Sequence, residues 1–383
     1  MSQLTVHCQD NCFSDQREFM KIVFIFILLI ISTGASGQAL IDDDCSFLRD
    51  HSVKIQIQEF LDKEAKTAPI INGYHLSAFP IALIDPIVNP QCILMLKSGR
   101  SYGPSYLKSV LPPENGLYDF MSVARGNIET FSNFLSQNLT KEVGQNEPQI
   151  MLFNIQPEFF KGLAEKTKDS FFKQFIKSNM LLIFMLIHEG FHQFGQSGPD
   201  LGERKIWPLW AYGHKPMKIN KCYSVTKEVS NLFDEESLIL LKIFKNLSNP
   251  FTANNNTQLI KDYFKTRNKR YQMVNAYNGT PESKECVKEE AIGEMVEGFA
   301  EYMALSTLNL LGVMSSSDIL KYCAVGLGPN NYDDAYYKTG ALKLLITQIS
   351  LGSSFQQALE KLFQSEDWQY NIDSLIQTIP EGI

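Results

Sequence analysis

"MLLIFMLIHEGFHQFGQ", residues 180–196, is a helix-length apolar run that turns polar at His188, Glu189 and His192. Four-residue spacing puts His188 and His192 on one helical face, where both can reach a single ion. Neutral imidazoles suit zinc, at about 2.0–2.1 Å. Glu189 lies one position on, about 100° around the helix. It is displaced too far for a natural ligand, but it can reach a water on the metal, which is the position of a general base. Three ionisable groups at the end of an apolar helix cost several kcal/mol (~) unless something compensates them. A metal ion compensates; the competing reading is a set of core side chains satisfied by protein partners.

The third ligand decides the class. The longer pattern H-E-x-x-H-x-x-G-x-x-H needs a histidine at 198, and Gly198 stands there, with His214 sixteen positions late. A glutamate from a later helix is the other route. "GEMVEGFAEYM", 293–303, offers Glu294, Glu297 and Glu301, spaced three and four apart so that all three can share a face. As bare sequence they also read as a solvated acidic stripe.

The pair "HEGFH" and "VEGFAEY" resembles the gluzincin metallopeptidases, nearest in motif to their aminopeptidase and leukotriene-hydrolase-like branch. The resemblance implies Glu297 as third zinc ligand, after His188 and His192. It implies Glu301, one turn on, as the carboxylate that orients a ligand histidine. "NYDDAYYKTGALKLL", 331–345, is similar to that branch's Y-x(4)-Y-E-K-G segment, with Lys-Thr in place of Glu-Lys. Tyr332 and Tyr337 are thereby implied as donors to a developing oxyanion, with Tyr336 as a neighbour able to substitute. Between His192 and Glu297 lie 104 residues, far more than in familiar gluzincins, so two extra helices are expected there. The G-x-M-x-N exopeptidase motif is absent, and aminopeptidase activity is not expected.

Composition narrows the setting. With 383 residues, 44% of them hydrophobic, a substantial core is available. A net charge of −7 and a pI near 5.5 give no case for nucleic acid. Lysines and arginines scattered among acids read as an ordinary solvated surface. From Met20, "MKIVFIFILLIISTGASGQA" has the order of a secretory signal peptide, ending near Gly37. Its apolar run is about half of the ~20 residues a spanning helix needs. Translation from Met20 and a soluble secreted or periplasmic product cleaved near Gly37 are expected, with no stable membrane span in the mature form. Cys45, Cys92, Cys222, Cys286 and Cys323 then remain, and an oxidising compartment permits one or two disulfides of unread connectivity.

Along the chain, 45–65 looks like an amphipathic helix, while 79–86 and 91–97 read as strands with a turn between. Gly- and Pro-rich 98–116 reads as loop, and "PQIMLFNI", 148–155, as a further strand. Helices are expected over 158–194, 225–246, 258–275, 284–311 and after Tyr332. Trp207, Trp210 and Tyr212 stand in a long loop, 198–217, as pocket walls or as packing. The expected class is α+β: a polar extension and signal (1–37), an N-terminal part with a small mixed or antiparallel sheet (38–157), and a mainly helical, zincin-like part (158–383).

The expected activity is zinc-dependent hydrolysis of a peptide or protein substrate, with one Zn2+ and Glu189 as base. An edge strand ahead of the motif helix pairs with extended substrate in many such enzymes, and "PQIMLFNI" is the candidate. A non-catalytic zinc-binding protein of the same fold, or a metallo-hydrolase of a non-peptide bond, stay open beside it.

Overall fold

The computed structural model describes residues 45–49, 51–71, 74–85, 89–97, 100–106, 121–123, 151–154, 170–196, 207–208, 210–211, 220–223, 226–249, 256–278, 281–327, 332 and 335–380. The signal segment, Tyr212 and His214 lie outside them. Among the described residues no helix is long and apolar enough to cross a membrane.

"IALID" is apolar on both faces, and such a run belongs inside a sheet that is covered on both sides. It forms β1 (Ile81–Asp85), whose Ile81, Ala82 and Leu83 are all fully buried. β2 (Asn89–Lys97) pairs with it antiparallel, and β3 (Arg100–Tyr106) pairs antiparallel with β2. β4 (Met121–Val123) and β5 (Met151–Asn154) complete a five-stranded mixed sheet of order β3-β2-β1-β5-β4. The architecture is α+β.

Two sequence expectations fail here. Residues 100–106 are strand rather than loop. Their register with β2 slips between Ile93–Ser105 and Met95–Tyr102, placing one extra residue on β3 around Gly103 and Pro104. Gly and Pro are tolerated at a bulge on an edge strand, which β3 is. The second failure concerns β5. It lies parallel to β1 on one side and antiparallel to β4 on the other, so it offers no open edge to a substrate.

The helices follow. α1 (Ser52–Glu64) ends at a buried Glu64, whose carboxylate accepts the backbone N–H of Leu76 and Ser77, each at 3.1 Å. That fixes a short turn, Leu76–Ala78, against the motif helix. α2 (Ser170–Lys177) and α3 (Met180–Gly190) are joined through Asn179, whose φ of 57° breaks the helix. α3 continues as a π-helical turn, Phe191–Gln196. Gly190 is where the Leu76 turn seats: a Cβ there would stand 2.5 Å from Leu76 Cδ1.

The long interval after His192 holds α4 (Lys227–Leu247) and α5 (Asn256–Asn278), the two expected extra helices. α6 (Pro281–Gly293) runs through a second π-helical turn, Glu294–Gly298, into α7 (Phe299–Leu310). α8 (Ser316–Gly326), α9 (Ala335–Leu351), α10 (Phe355–Phe363) and α11 (Ile372–Gln377) close the chain.

One hydrophobic cluster runs from Cys45 to Ile376 and joins sheet and helices. Trp207 is packing within it, its ring against Phe191, Phe299 and Phe363. Two disulfides form: Cys45–Cys92 ties the start of the described chain to β2, and Cys222–Cys286 ties the turn before α4 to α6. Cys323 is buried and free.

Candidate metal centre

α3 and the α6–α7 helix carry the donors to one point. α3 is held by its apolar faces, with Leu182, Phe184, Leu186 and Ile187 buried, so its final turn cannot swing. The opposing helix is pressed close by a pair of glycines. A Cβ on Gly340 of α9 would stand 2.7 Å from the Glu294 carbonyl oxygen and 2.9 Å from Gly298 Cα. A Cβ on Gly298 would stand 2.7 Å from Gly340 Cα. The glycines in "VEGF" and "YKTG" therefore have one shared purpose, the contact of two backbones.

His188, His192 and Glu297 bring one donor atom each to within 4.8 Å of one another and could together hold a metal ion. His192 Nε2 lies 3.1 Å from His188 Nε2 and 3.0 Å from Glu297 Oε2, and His188 Nε2 lies 3.5 Å from the same oxygen. Ligand atoms at about 2.0–2.1 Å from a tetrahedral ion stand about 3.3–3.4 Å apart, which these separations straddle.

The outer ring nitrogens say which atoms face inward. Gln196 Nε2 donates to the Val296 carbonyl at 2.6 Å, which turns Gln196 Oε1 toward His192 Nδ1, also at 2.6 Å. An amide oxygen can only accept, so Nδ1 carries the proton and Nε2 presents a lone pair. Behind His188, Nδ1 stands 3.3 Å from Glu301 Oε2, an ion-pair contact without hydrogen-bond alignment. Glu301 in turn accepts from the Tyr322 hydroxyl at 2.7 Å and from the Lys338 ammonium. Burial raises the Glu301 carboxyl's pKa, but Lys338 and His188 outweigh it and bring it down to about 2.

Two imidazole nitrogens and a carboxylate oxygen thus converge, and the donor set fits a cation. In the metal-free protein a proton fills that need. Burial disfavours His188 in its charged form, yet the carboxylates of Glu297 and Glu301 in contact with it, with Glu189 nearby, raise its pKa to about 10. Glu297 is pushed the other way: desolvation is outweighed by both histidines, and it lies far below the usual carboxylate range.

Glu189 is half-buried beside His188. Tyr337 is half-buried too, and its ring stacks on His188 at 5.8 Å and 17°. Tyr332 is placed differently, its buried ring packing on Tyr223 and Phe233. Tyr336 is buried against Tyr337. Trp210 is half-buried at the edge of the core.

Glu294 does not share the face of Glu297 and Glu301. The π-helical turn between them widens the helix and turns Glu294 away, into a buried ionic network. There it accepts from Lys343 at 2.5 and 2.6 Å, Thr339 at 2.7 Å and Arg267 at 3.2 Å. Arg267 also meets Glu290 and Asp373, while Arg270 is clamped by Glu236 and Glu290. Lys343 reaches Asp373 at 2.8 Å, and Tyr263 donates to the same carboxylate. These cations are fully buried, against the expectation of a solvated surface for the chain's arginines and lysines.

Sequence reasoning missed Gln196, Tyr322 and Lys338. Lys338 and Thr339 stood out only as a departure from the Tyr-Glu-Lys-Gly pattern; each has a defined partner, Glu301 and Glu294. Gln196 carried no signal beyond its place four residues after His192. No protein-family model matches the chain, and no curated protein or solved structure shows significant similarity to it.

Proposed function

We propose that this chain is a secreted zinc metallopeptidase of the gluzincin type, built on a zincin-like core, with His188, His192 and Glu297 as its ligands. The observation that carries the reading is the convergence of two imidazole Nε2 atoms and one carboxylate oxygen, with Glu189 following His188 in the chain. A bound zinc ion supplies Lewis-acid polarisation of a carbonyl and acidifies water.

The chain's own residues do the rest. Glu189 accepts the proton of the attacking water and returns it to the leaving amine. Glu301, kept ionised by Lys338 and Tyr322, holds the His188 ring with Nε2 inward. Tyr337 lies on the His188 face and is the phenol to donate to a developing oxyanion. Tyr332, packed among Tyr223 and Phe233, is the weaker candidate for that task. Three protein donors rather than four, and a carboxylate beside them, favour an open catalytic site over a closed structural one. Two disulfides support an oxidising, exported setting.

The test is hydrolysis of a mixed peptide library by the protein from residue 38 onward. Wild type is expected to cleave, chelator to abolish cleavage and zinc to restore it. Glu189→Gln should keep zinc and lose about 10²–10⁴-fold in rate. A wild type that binds zinc and cleaves no peptide contradicts the peptidase reading, leaving a zinc-binding protein or a hydrolase of another bond.

A further inference from the structure

We infer that Gln196 is a positioning residue that locks the two ligand-bearing segments together and fixes which nitrogen of His192 faces the metal. The inference rests on the metal-centre reading above and extends it to a residue outside the ligand set.

Each ligand-bearing helix departs from α-geometry at its ligand. His192 sits in the π-helical turn Phe191–Gln196, and Glu297 sits in the π-helical turn Glu294–Gly298. π-turns shift the i→i+4 pairing and leave backbone carbonyls available to other donors. The Val296 carbonyl, immediately before Glu297, accepts the Phe299 N–H and keeps a second lone pair. It receives the Gln196 side chain from across the site at 2.6 Å.

Gln196 is itself buried, with 7% of its surface exposed. Its two polar ends are used in opposite directions: the NH₂ group donates to one segment, the oxygen accepts from the other. Only a primary amide supplies both at that spacing. Reversing the amide would set its NH₂ against the protonated nitrogen and its oxygen against a carbonyl. The backbone bond therefore dictates the His192 tautomer, and that tautomer leaves Nε2 as the free lone pair. His188 is oriented by a charged carboxylate, Glu301, whereas His192 is oriented by a neutral amide anchored to the Glu297 backbone. One side chain thus sets the ring of one ligand and the distance to another.

The experiment uses zinc itself as probe. Zinc affinity is measured by competition with a chelating dye for wild type, Gln196→Leu and Gln196→Glu, with thermal unfolding of the metal-free forms alongside. Gln196→Leu removes both bonds and should bind zinc about 10–100-fold more weakly. Gln196→Glu keeps an acceptor for His192 Nδ1–H but sets a carboxylate oxygen against the Val296 carbonyl, so its affinity should fall between wild type and Gln196→Leu. In wild type, ¹⁵N spectra of the zinc-loaded protein should show His192 bound through Nε2, with Nδ1–H protected from solvent exchange. That spectrum needs no variant to fold. Undiminished affinity in a folded Gln196→Leu, equal losses in the two variants, or coordination through Nδ1 each overturn the inference. A wild type that binds no zinc at all overturns the metal centre, and the inference with it. A wild type that binds zinc in a Gln196-dependent way but cleaves no peptide leaves the inference standing and removes only the peptidase.

Discussion

Two buried clusters of charge lie on opposite sides of the same helix, and they solve the same problem differently. On one side Glu294 meets Lys343, Thr339 and Arg267, inside a network that contains its own cations. On the other side Glu297, three residues later, meets two imidazole nitrogens and, among the described residues, no lysine or arginine. The first cluster is closed: every carboxylate in it already faces a guanidinium or an ammonium. The second has imidazoles as its partners, whose charge comes and goes with a proton. A buried carboxylate without a fixed cation is costly, which is the ground for the metal proposed above. The π-helical turn makes the distinction possible, because it sends Glu294 and Glu297 to different sides of one helix.

The comparison breaks if the two glutamates behave alike. Glu294→Ala leaves Arg267 and Lys343 short of a partner in a dry interior. It should cost about 3–5 kcal/mol, measured by urea unfolding of the metal-free protein. Glu297→Ala leaves no guanidinium or ammonium unpaired, because its partners are imidazoles that can release a proton. It should cost less than Glu294→Ala, about 1–3 kcal/mol in the same assay, and weaken zinc binding as well. Equal destabilisation by both would mean that the second cluster is structural.

Gly340→Ala sharpens the comparison by acting on both sides at once. The added Cβ meets the Glu294 carbonyl oxygen and Gly298 Cα, so α9 and the Glu helix must part. The expected loss of stability is about 1–3 kcal/mol, with weakened zinc binding in the folded fraction. A variant with native stability and affinity would show that the glycine contact does not set the site.

pH separates the clusters more gently. Burial raises the Asp373 carboxyl, but Arg267 and Lys343 outweigh it and hold it far below the ordinary carboxylate range. A depressed folded pKa contributes stability that is present above the unfolded value near 4 and lost as pH falls through the folded one (~). His188 has the opposite sign. Raised to about 10 without metal, its contribution is present below about 6.5 and lost as pH rises through 10. Zinc must displace that proton at neutral pH, so affinity should climb about tenfold per pH unit between pH 6 and 8. Chelator-treated protein should weaken on the alkaline side, and saturating zinc should remove that weakening. A pH-independent affinity would contradict the assignment of His188 as a ligand.

How much of this was legible follows from the range of the signals. His188, Glu189 and His192 are four residues apart at most, and helical period alone puts them together. Glu297 was reachable because "VEGFAEY" resembles a known ligand segment, although the three glutamates looked equivalent by spacing. What separated them, a π-helical turn, leaves no mark in hydrophobic periodicity. The ionic network was invisible for a related reason. Arg267 and Arg270 stand among lysines and asparagines on α5, a pattern that usually faces water, and their partners Glu236, Glu290 and Asp373 come from other helices. The sheet was legible where apolar runs are continuous, as in β1 and β2. It was misread at β3, where Gly103 and Pro104 mark a bulge rather than a loop, and at β5, whose second neighbour is only three residues long. Disulfide connectivity rests on tertiary proximity and could not be read from five widely spaced cysteines.

The measurement closest to the central claim is zinc stoichiometry, read by metal analysis and by the zinc-dependent rise in melting temperature. It compares wild type with Glu297→Ala and Glu301→Ala. Wild type should hold one zinc per chain, Glu297→Ala should hold none at micromolar zinc, and Glu301→Ala should still bind, about 10–100-fold more weakly. Full zinc content in Glu297→Ala, with a melting temperature that still rises with zinc, would contradict the metal centre described above.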